Sequence, residues 1–201
     1  MIQTVPADFI GKENVGYVLL ALLSENAQTR ISELLKDLNM TLPGALWTMP
    51  PKQMHITLCE IIQPKLYTED KDILYKRHEA LYENAPAQIL SSLPRFTITF
   101  NIIECSPQAV IIRSNNASSF NSIRNQLVKT VPMPTETRTP PDIIHSTIAR
   151  YLKEMDVEKV QQVIMQHKVF IEEEITEFKL LRVSVPPLCK YETLKTYPLG
   201  V

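Results

Sequence analysis

Gln53-Met54-His55-Ile56-Thr57-Leu58-Cys59-Glu60-Ile61-Ile62 is the stretch on which the reading of this chain turns. Its pattern returns, nearly half of the 201 residues later, in Ile143-Ile144-His145-Ser146-Thr147-Ile148-Ala149-Arg150-Tyr151-Leu152. Both runs are rich in β-branched and apolar residues and read as strands. In a strand, side chains at i and i+2 share a face. His55 and Thr57 therefore point one way, with Met54, Ile56 and Leu58 behind them in the core. His145 and Thr147 form the second pair, backed by Ile144 and Ile148. Each strand presents an imidazole beside a hydroxyl on a rigid apolar support.

Two such pairs suit chemistry at phosphorus. One group must take a proton from the attacking oxygen and another must give one to the leaving oxygen. Histidine does either near neutral pH, its unperturbed pKa being about 6.5. The hydroxyls of Thr57 and Thr147 are placed to donate hydrogen bonds to non-bridging phosphate oxygens, where charge concentrates. Two His-x-Thr strands facing each other would hold phosphorus between them without a metal.

Outward from the motifs, strands and helices alternate along the whole chain. Val15–Leu23 reads as a buried strand, followed by a helix over about 26–39 in which Ile31, Leu34, Leu35 and Leu38 recur at helical spacing. The first motif strand ends at Pro64, and Thr68 to about Leu90 reads as one long helix. Phe96–Cys105 and Ala109–Arg113 are β-rich runs joined across Ser106-Pro107. Ser118–Val131 has helical spacing in Phe120, Ile123, Leu127 and Val131. Val131–Pro141, with four prolines and three threonines, reads as a loop entering the second motif and the most flexible segment. Asp156–His167 reads as a helix with Asp156 as its N-cap. Glu172–Glu174 reads as an exposed acidic turn, Phe178–Val185 as a strand ended by Pro186-Pro187, and Tyr191–Leu199 as a last strand. A His-x-Thr strand followed by a helix occurs at 53–90 and again at 143–167, which points to two similar lobes.

Composition removes several alternatives. The formal net charge is −1, so nothing global draws the chain to a nucleic-acid backbone. An RNA partner is gripped at a short end or as a nucleotide. The cysteines, Cys59, Cys105 and Cys189, are odd in number and form no CxxC pair, which argues against a disulfide framework or a cysteine zinc site. Four glycines form neither GxGxxG nor a P-loop, and HExxH and GxSxG are absent. Val15–Leu23 is too short to span a bilayer and lacks the flanks of a signal peptide, so a cytoplasmic protein is expected.

The paired motifs resemble those of the 2H phosphoesterase superfamily, which includes 2′-5′ RNA ligase-like proteins and cyclic nucleotide phosphodiesterases. That family carries two motifs of the form H-x-S/T-x, each in an apolar strand, one per lobe. His55-Ile56-Thr57-Leu58 and His145-Ser146-Thr147-Ile148 match them position by position, and Thr147-Ile148-Ala149-Arg150 is similar to the "TLAR" ending of many second motifs. Ser146 departs from the pattern, being polar where an apolar residue is usual. The resemblance implies an α+β (mixed α/β) fold over 1–201: one bilobal domain, each lobe an antiparallel sheet with helices, around a central groove. It implies metal-independent and cofactor-free action on 2′,3′-cyclic phosphates or 2′-5′ linked phosphodiesters of a nucleotide or RNA terminus, usually leaving a 2′-phosphate. By the same resemblance His145 is the base for water and His55 the acid.

Three further residues are candidates for substrate contact. Arg150 falls on the face opposite His145 if the strand is regular, and two readings stand open: closing a salt bridge, or reaching the groove rim through a bulge. Tyr151 shares the parity of His145, and two readings stand open: lining the groove with a base stacked on it, or packing. Lys52, just before the first motif, is placed to attract phosphate or is simply solvated. His78 and His167 read as solvated helix residues. Other outcomes stay open beside the hydrolase: a groove that binds RNA ends without turnover, a 3′-end RNA exonuclease, or a 2′-5′ RNA ligase. The residues indicate neither a membrane nor an obligate protein partner.

Overall fold

The computed structural model describes residue 4 and residues 11–64, 69–131 and 142–200. The loop expected over Val131–Pro141 lies, beyond Val131, outside the described residues. In chain order the strands are β1 (Gly16–Leu22), β2 (Leu46–Thr48), β3 (His55–Ile62), β4 (Phe96–Phe100), β5 (Ile102–Cys105), β6 (Ala109–Ser114), β7 (Ile144–Tyr151), β8 (Ile171–Ile175), β9 (Glu177–Val185) and β10 (Lys190–Pro198). The helices are α1 (Glu25–Thr41), α2 (Lys71–Arg77), α3 (Glu79–Leu90), α4 (Ser118–Thr130) and α5 (Val157–Ile164), with a short 3₁₀ turn at Pro51–Gln53. The fold is the mixed α+β one expected, built on antiparallel sheets.

One four-stranded sheet runs β10-β9-β1-β3 and the other β2-β7-β6-β5, while β4 and β8 form a separate ribbon. The first motif strand, β3, thus belongs to one sheet and the second, β7, to the other. β1 is apolar throughout because both of its faces are covered. Tyr17, Leu19 and Ala21 enter the main core, while Val18 and Leu20 join Leu181, Val183 and Leu188 in a smaller cluster on the other face. Ile31, Leu35 and Leu38 of α1 pack into the main core with Val110, Ile112 and Ile148 of the second sheet.

The acidic run 172–174 is not an exposed turn. It is strand β8, with Ile171, Glu173 and Ile175 turned inward and Glu172 and Glu174 outward. Glu173 is buried because α1 needs it. Its carboxylate accepts from the Ser24 backbone N–H at 2.7 Å and from the Ser24 hydroxyl at 2.6 Å, while Ser24 caps Ala27 N–H. The long helix expected over 68–90 is two helices. It breaks at His78, whose φ of −130° and ψ of 18° leave the helical region. Each half is anchored separately. Tyr75 of α2 stacks on Tyr17 with ring centroids 4.0 Å apart, and α3 receives the Tyr197 hydroxyl on the Glu83 carbonyl. The run Phe96–Cys105 likewise divides at Asn101, β4 pairing with β8 and β5 with β6.

Candidate active site

Both motif strands carry a bulge at the same place. Along β3, Thr57 lies opposite Leu20 and Cys59 opposite Leu19, so Leu58 is the extra residue. Along β7, Thr147 lies opposite Ile111 and Ala149 opposite Val110, so Ile148 is the extra one. In each case the supernumerary residue stands three positions after the histidine. A bulge of one residue reverses the alternation beyond it. Position five after the histidine then joins the face that holds the histidine and threonine. It is Glu60 in β3 and Arg150 in β7.

This decides the two open cases in β7. Arg150 lies opposite Ala109 and Trp47, and Ala109 shares its face with Ile111 and Arg113, the partners of Thr147 and His145. The side chain of Arg150 is therefore on the histidine face. Tyr151 goes the other way and is fully buried. Its hydroxyl donates to the Ser106 carbonyl at 3.0 Å and lies 2.6 Å from Cys105 Sγ. The cleft-lining alternative for Tyr151 is overturned, because the bulge hands its position to the core. Lys52 is exposed in the 3₁₀ turn and lines a shallow groove along α1 with Glu25, Gln28 and Glu33, a groove that no motif side chain lines.

The two imidazoles belong to one electrostatic environment. β3 and β7 pack against each other across the two sheets. His55 is held below the ordinary histidine range, first by burial, then by the charges of His145 and Arg150, with the Gln53 carbonyl opposing. That carbonyl lies 2.7 Å from His55 Nδ1. A carbonyl only accepts, so Nδ1 carries a proton and, in the neutral ring, Nε2 is the acceptor nitrogen. His145 is also held down, first by burial, then by Arg124 and Arg150, while the Ile143 carbonyl and Glu104 oppose. Ile143 stands where Gln53 stands in the first motif. Yet His145 Nδ1 only faces that carbonyl, without the close, aligned hydrogen bond that His55 Nδ1 has with Gln53. The Ile143 carbonyl accepts from Arg124 Nη1 at 3.0 Å.

Thr57 and Thr147 are both half-buried beside their histidines. Ser146 points into the core, fully buried, and its hydroxyl has no hydrogen-bond partner among the described residues. No group of three or more His, Cys, Asp or Glu able to hold a metal occurs among the described residues, and no helix there is long and apolar enough to cross a membrane.

Two residues escaped the sequence reading. Glu60 was concealed because its position depends on a bulge that periodicity does not reveal. Arg124 left a signal. It stands four residues after Phe120 and three before Leu127, within the apolar stripe of α4, where an exposed arginine would be out of place.

No protein-family model matches the chain, and no curated protein sequence does. Solved structures do match in fold. TT0787 of Thermus thermophilus superposes with a TM-score of 0.64 at 14% identity, over 92% of this chain and 97% of that one. Escherichia coli LigT in apo form gives a TM-score of 0.64 at 14% identity, over 94% of this chain and 100% of its own. The protein ATU0111 of Agrobacterium tumefaciens gives 0.60 at 13% identity, over 96% and 93%. LigT has also been solved with phosphate and with 3′-AMP.

Proposed function

We propose that this protein, which shares its fold with LigT, is a 2H phosphoesterase that hydrolyses 2′,3′-cyclic or 2′-5′ linked phosphodiesters at a nucleotide or RNA terminus. The observation that carries the reading is the pair of half-buried imidazoles on two strands, β3 and β7, that pack against each other. Each stands on a bulged strand of its own sheet, with a threonine two residues on and Arg150 on the same face. The binding of phosphate and 3′-AMP by LigT supports the ligand class.

In this mechanism the phosphodiester sits between β3 and β7, its non-bridging oxygens taking hydrogen bonds from Thr57, Thr147 and Arg150. Neutral His145 accepts a proton from water as the water oxygen bonds to phosphorus. Protonated His55 gives its proton to the departing 3′ oxygen as the P–O bond breaks, which leaves a 2′-phosphate. The Gln53 carbonyl fixes the His55 ring so that Nε2 faces the leaving oxygen. The neighbouring cations Arg124 and Arg150 favour the neutral form of His145 that a base requires.

The test is turnover of a 2′,3′-cyclic mononucleotide followed by phosphorus NMR in the presence of EDTA. The wild-type protein should open the ring, and His55→Ala and His145→Ala should each lower kcat by at least about a hundredfold. Either variant turning over normally would rule out the mechanism. Binding of the nucleotide with no product would favour the non-catalytic alternative.

A further inference from the structure

Outside the motifs, the side chain tied most directly to both histidine strands is Arg124 of α4. It is only 4% exposed, although it carries a permanent charge. Its Nε donates to the Leu58 carbonyl at 3.0 Å and its Nη2 to the Thr57 carbonyl at 2.8 Å. Both acceptors belong to β3, at its bulge. Its Nη1 donates to the Ile143 carbonyl at 3.0 Å, next to the first residue of β7, and to Asn121 Oδ1 at 3.2 Å. The guanidinium carbon stands 5.1 Å from the centroid of the Phe120 ring, which completes its seat.

Taking the phosphoesterase reading as its basis, we propose that Arg124 is a positioning residue that clamps β3 to the start of β7 and so sets the spacing of the two histidines. β3 and β7 lie in different sheets, so no ladder of backbone hydrogen bonds fixes their separation. A planar guanidinium with five N–H donors in fixed geometry spans carbonyls on both strands at once. The bulge supplies the opportunity, since it disturbs the β1 ladder where the Thr57 and Leu58 carbonyls take their bonds from Arg124.

The clamp also acts on His145 directly. Arg124 donates to the Ile143 carbonyl, which stands in the second motif where the Gln53 acceptor of His55 stands in the first, and its charge disfavours protonation of the His145 ring. Among the described residues, the other charged or titratable groups near that ring include Arg150 on its own strand, His55 on β3, and on the neighbouring strands Arg113 and Glu104, which pair with each other. Glu104 opposes the cations, and Arg113 offsets part of its charge.

Two substitutions separate span from charge. Arg124→Lys keeps a cation but cannot reach both strands as a fork, while Arg124→Met removes both properties. On a 2′,3′-cyclic mononucleotide, kcat should fall roughly tenfold to a hundredfold in each, the loss that small displacements of reacting groups produce, with KM changed far less. Proton NMR of the imidazole C–H signals should show the His145 midpoint moved upward in Arg124→Met and close to wild type in Arg124→Lys. A folded Arg124→Lys with kcat within twofold of wild type would overturn the proposal. An Arg124→Lys chain that fails to fold would also overturn it, by confining Arg124 to stability. If the wild-type protein proves inactive, the functional reading fails, and the His145 titration still decides whether Arg124 governs that ring. An unmoved midpoint in Arg124→Met would then refute it.

Discussion

Replacing Arg150 with Met tests the consequence of the β7 bulge. A regular strand would turn Arg150 away from His145 and leave the substitution without effect on turnover. With Ile148 as the extra residue, Arg150 shares the face of His145 and Thr147, and its charge reaches both imidazoles. A charge-assisted hydrogen bond to a phosphate oxygen contributes about 1.5–3 kcal/mol. Its loss from the transition state should lower kcat/KM by roughly tenfold to a hundred-and-fiftyfold. Removing the cation also favours the protonated imidazoles, so both histidine pKa values rise and the acid limb of the pH–rate profile moves to higher pH. The assay is kcat/KM for a 2′,3′-cyclic mononucleotide from about pH 5 to 8.5, a range that brackets histidine titration, with Arg150→Lys for comparison. Arg150→Lys should fall between wild type and Arg150→Met, because it keeps the charge and loses the planar fork. Unchanged kcat/KM with an unmoved acid limb in Arg150→Met would refute the bulge argument.

Tyr151→Phe should behave in the opposite way. The phenol is buried on hydrogen bonds to Ser106 and Cys105, so its loss should cost about 1 kcal/mol, read by urea melts, and leave kcat within twofold. Ser146→Ala removes a buried hydroxyl that has no partner among the described residues, and should raise Tm by a few degrees; a drop of several degrees would show that the hydroxyl is satisfied. Both imidazoles are held below the ordinary histidine value of about 6.5, so kcat/KM should peak on the acid side of neutrality and decline as the acid His55 loses its proton. A peak above about pH 7.5 would contradict the burial seen at both rings. For stability, a histidine with a depressed folded pKa binds protons better when unfolded. Its contribution is therefore complete above about pH 6.5 and lost as pH falls towards the folded values, which an acid titration of the urea midpoint reads.

The strand character of both motifs, the i, i+2 pairing of histidine with threonine, the apolar backing and the mixed α+β class were legible in the residues themselves. These follow from local steric and hydrophobic periodicity, which acts over a few residues. The capping of α1 by Ser24 is local too, but its second support is not. Glu173 lies 149 residues from Ser24, and a run of three glutamates looks solvated until β8 is seen to turn the middle one inward. The break at His78 is likewise invisible in the residues, since the partners of the two halves, Tyr17 and Tyr197, lie far away in the chain.

Sequence alone determined that His55 and His145 stand, each with a threonine two residues on, in two apolar strands. Only the tertiary structure decided that those strands belong to separate sheets packed together, that each carries a bulge after its threonine, the one in β7 exchanging the faces of Arg150 and Tyr151, and that a buried Arg124 bonds to both strands. The physical reason is that alternation along a strand is a local property. The register between strands, and with it the extra residue of a bulge, is set by hydrogen bonds and packing with partners far away in the chain.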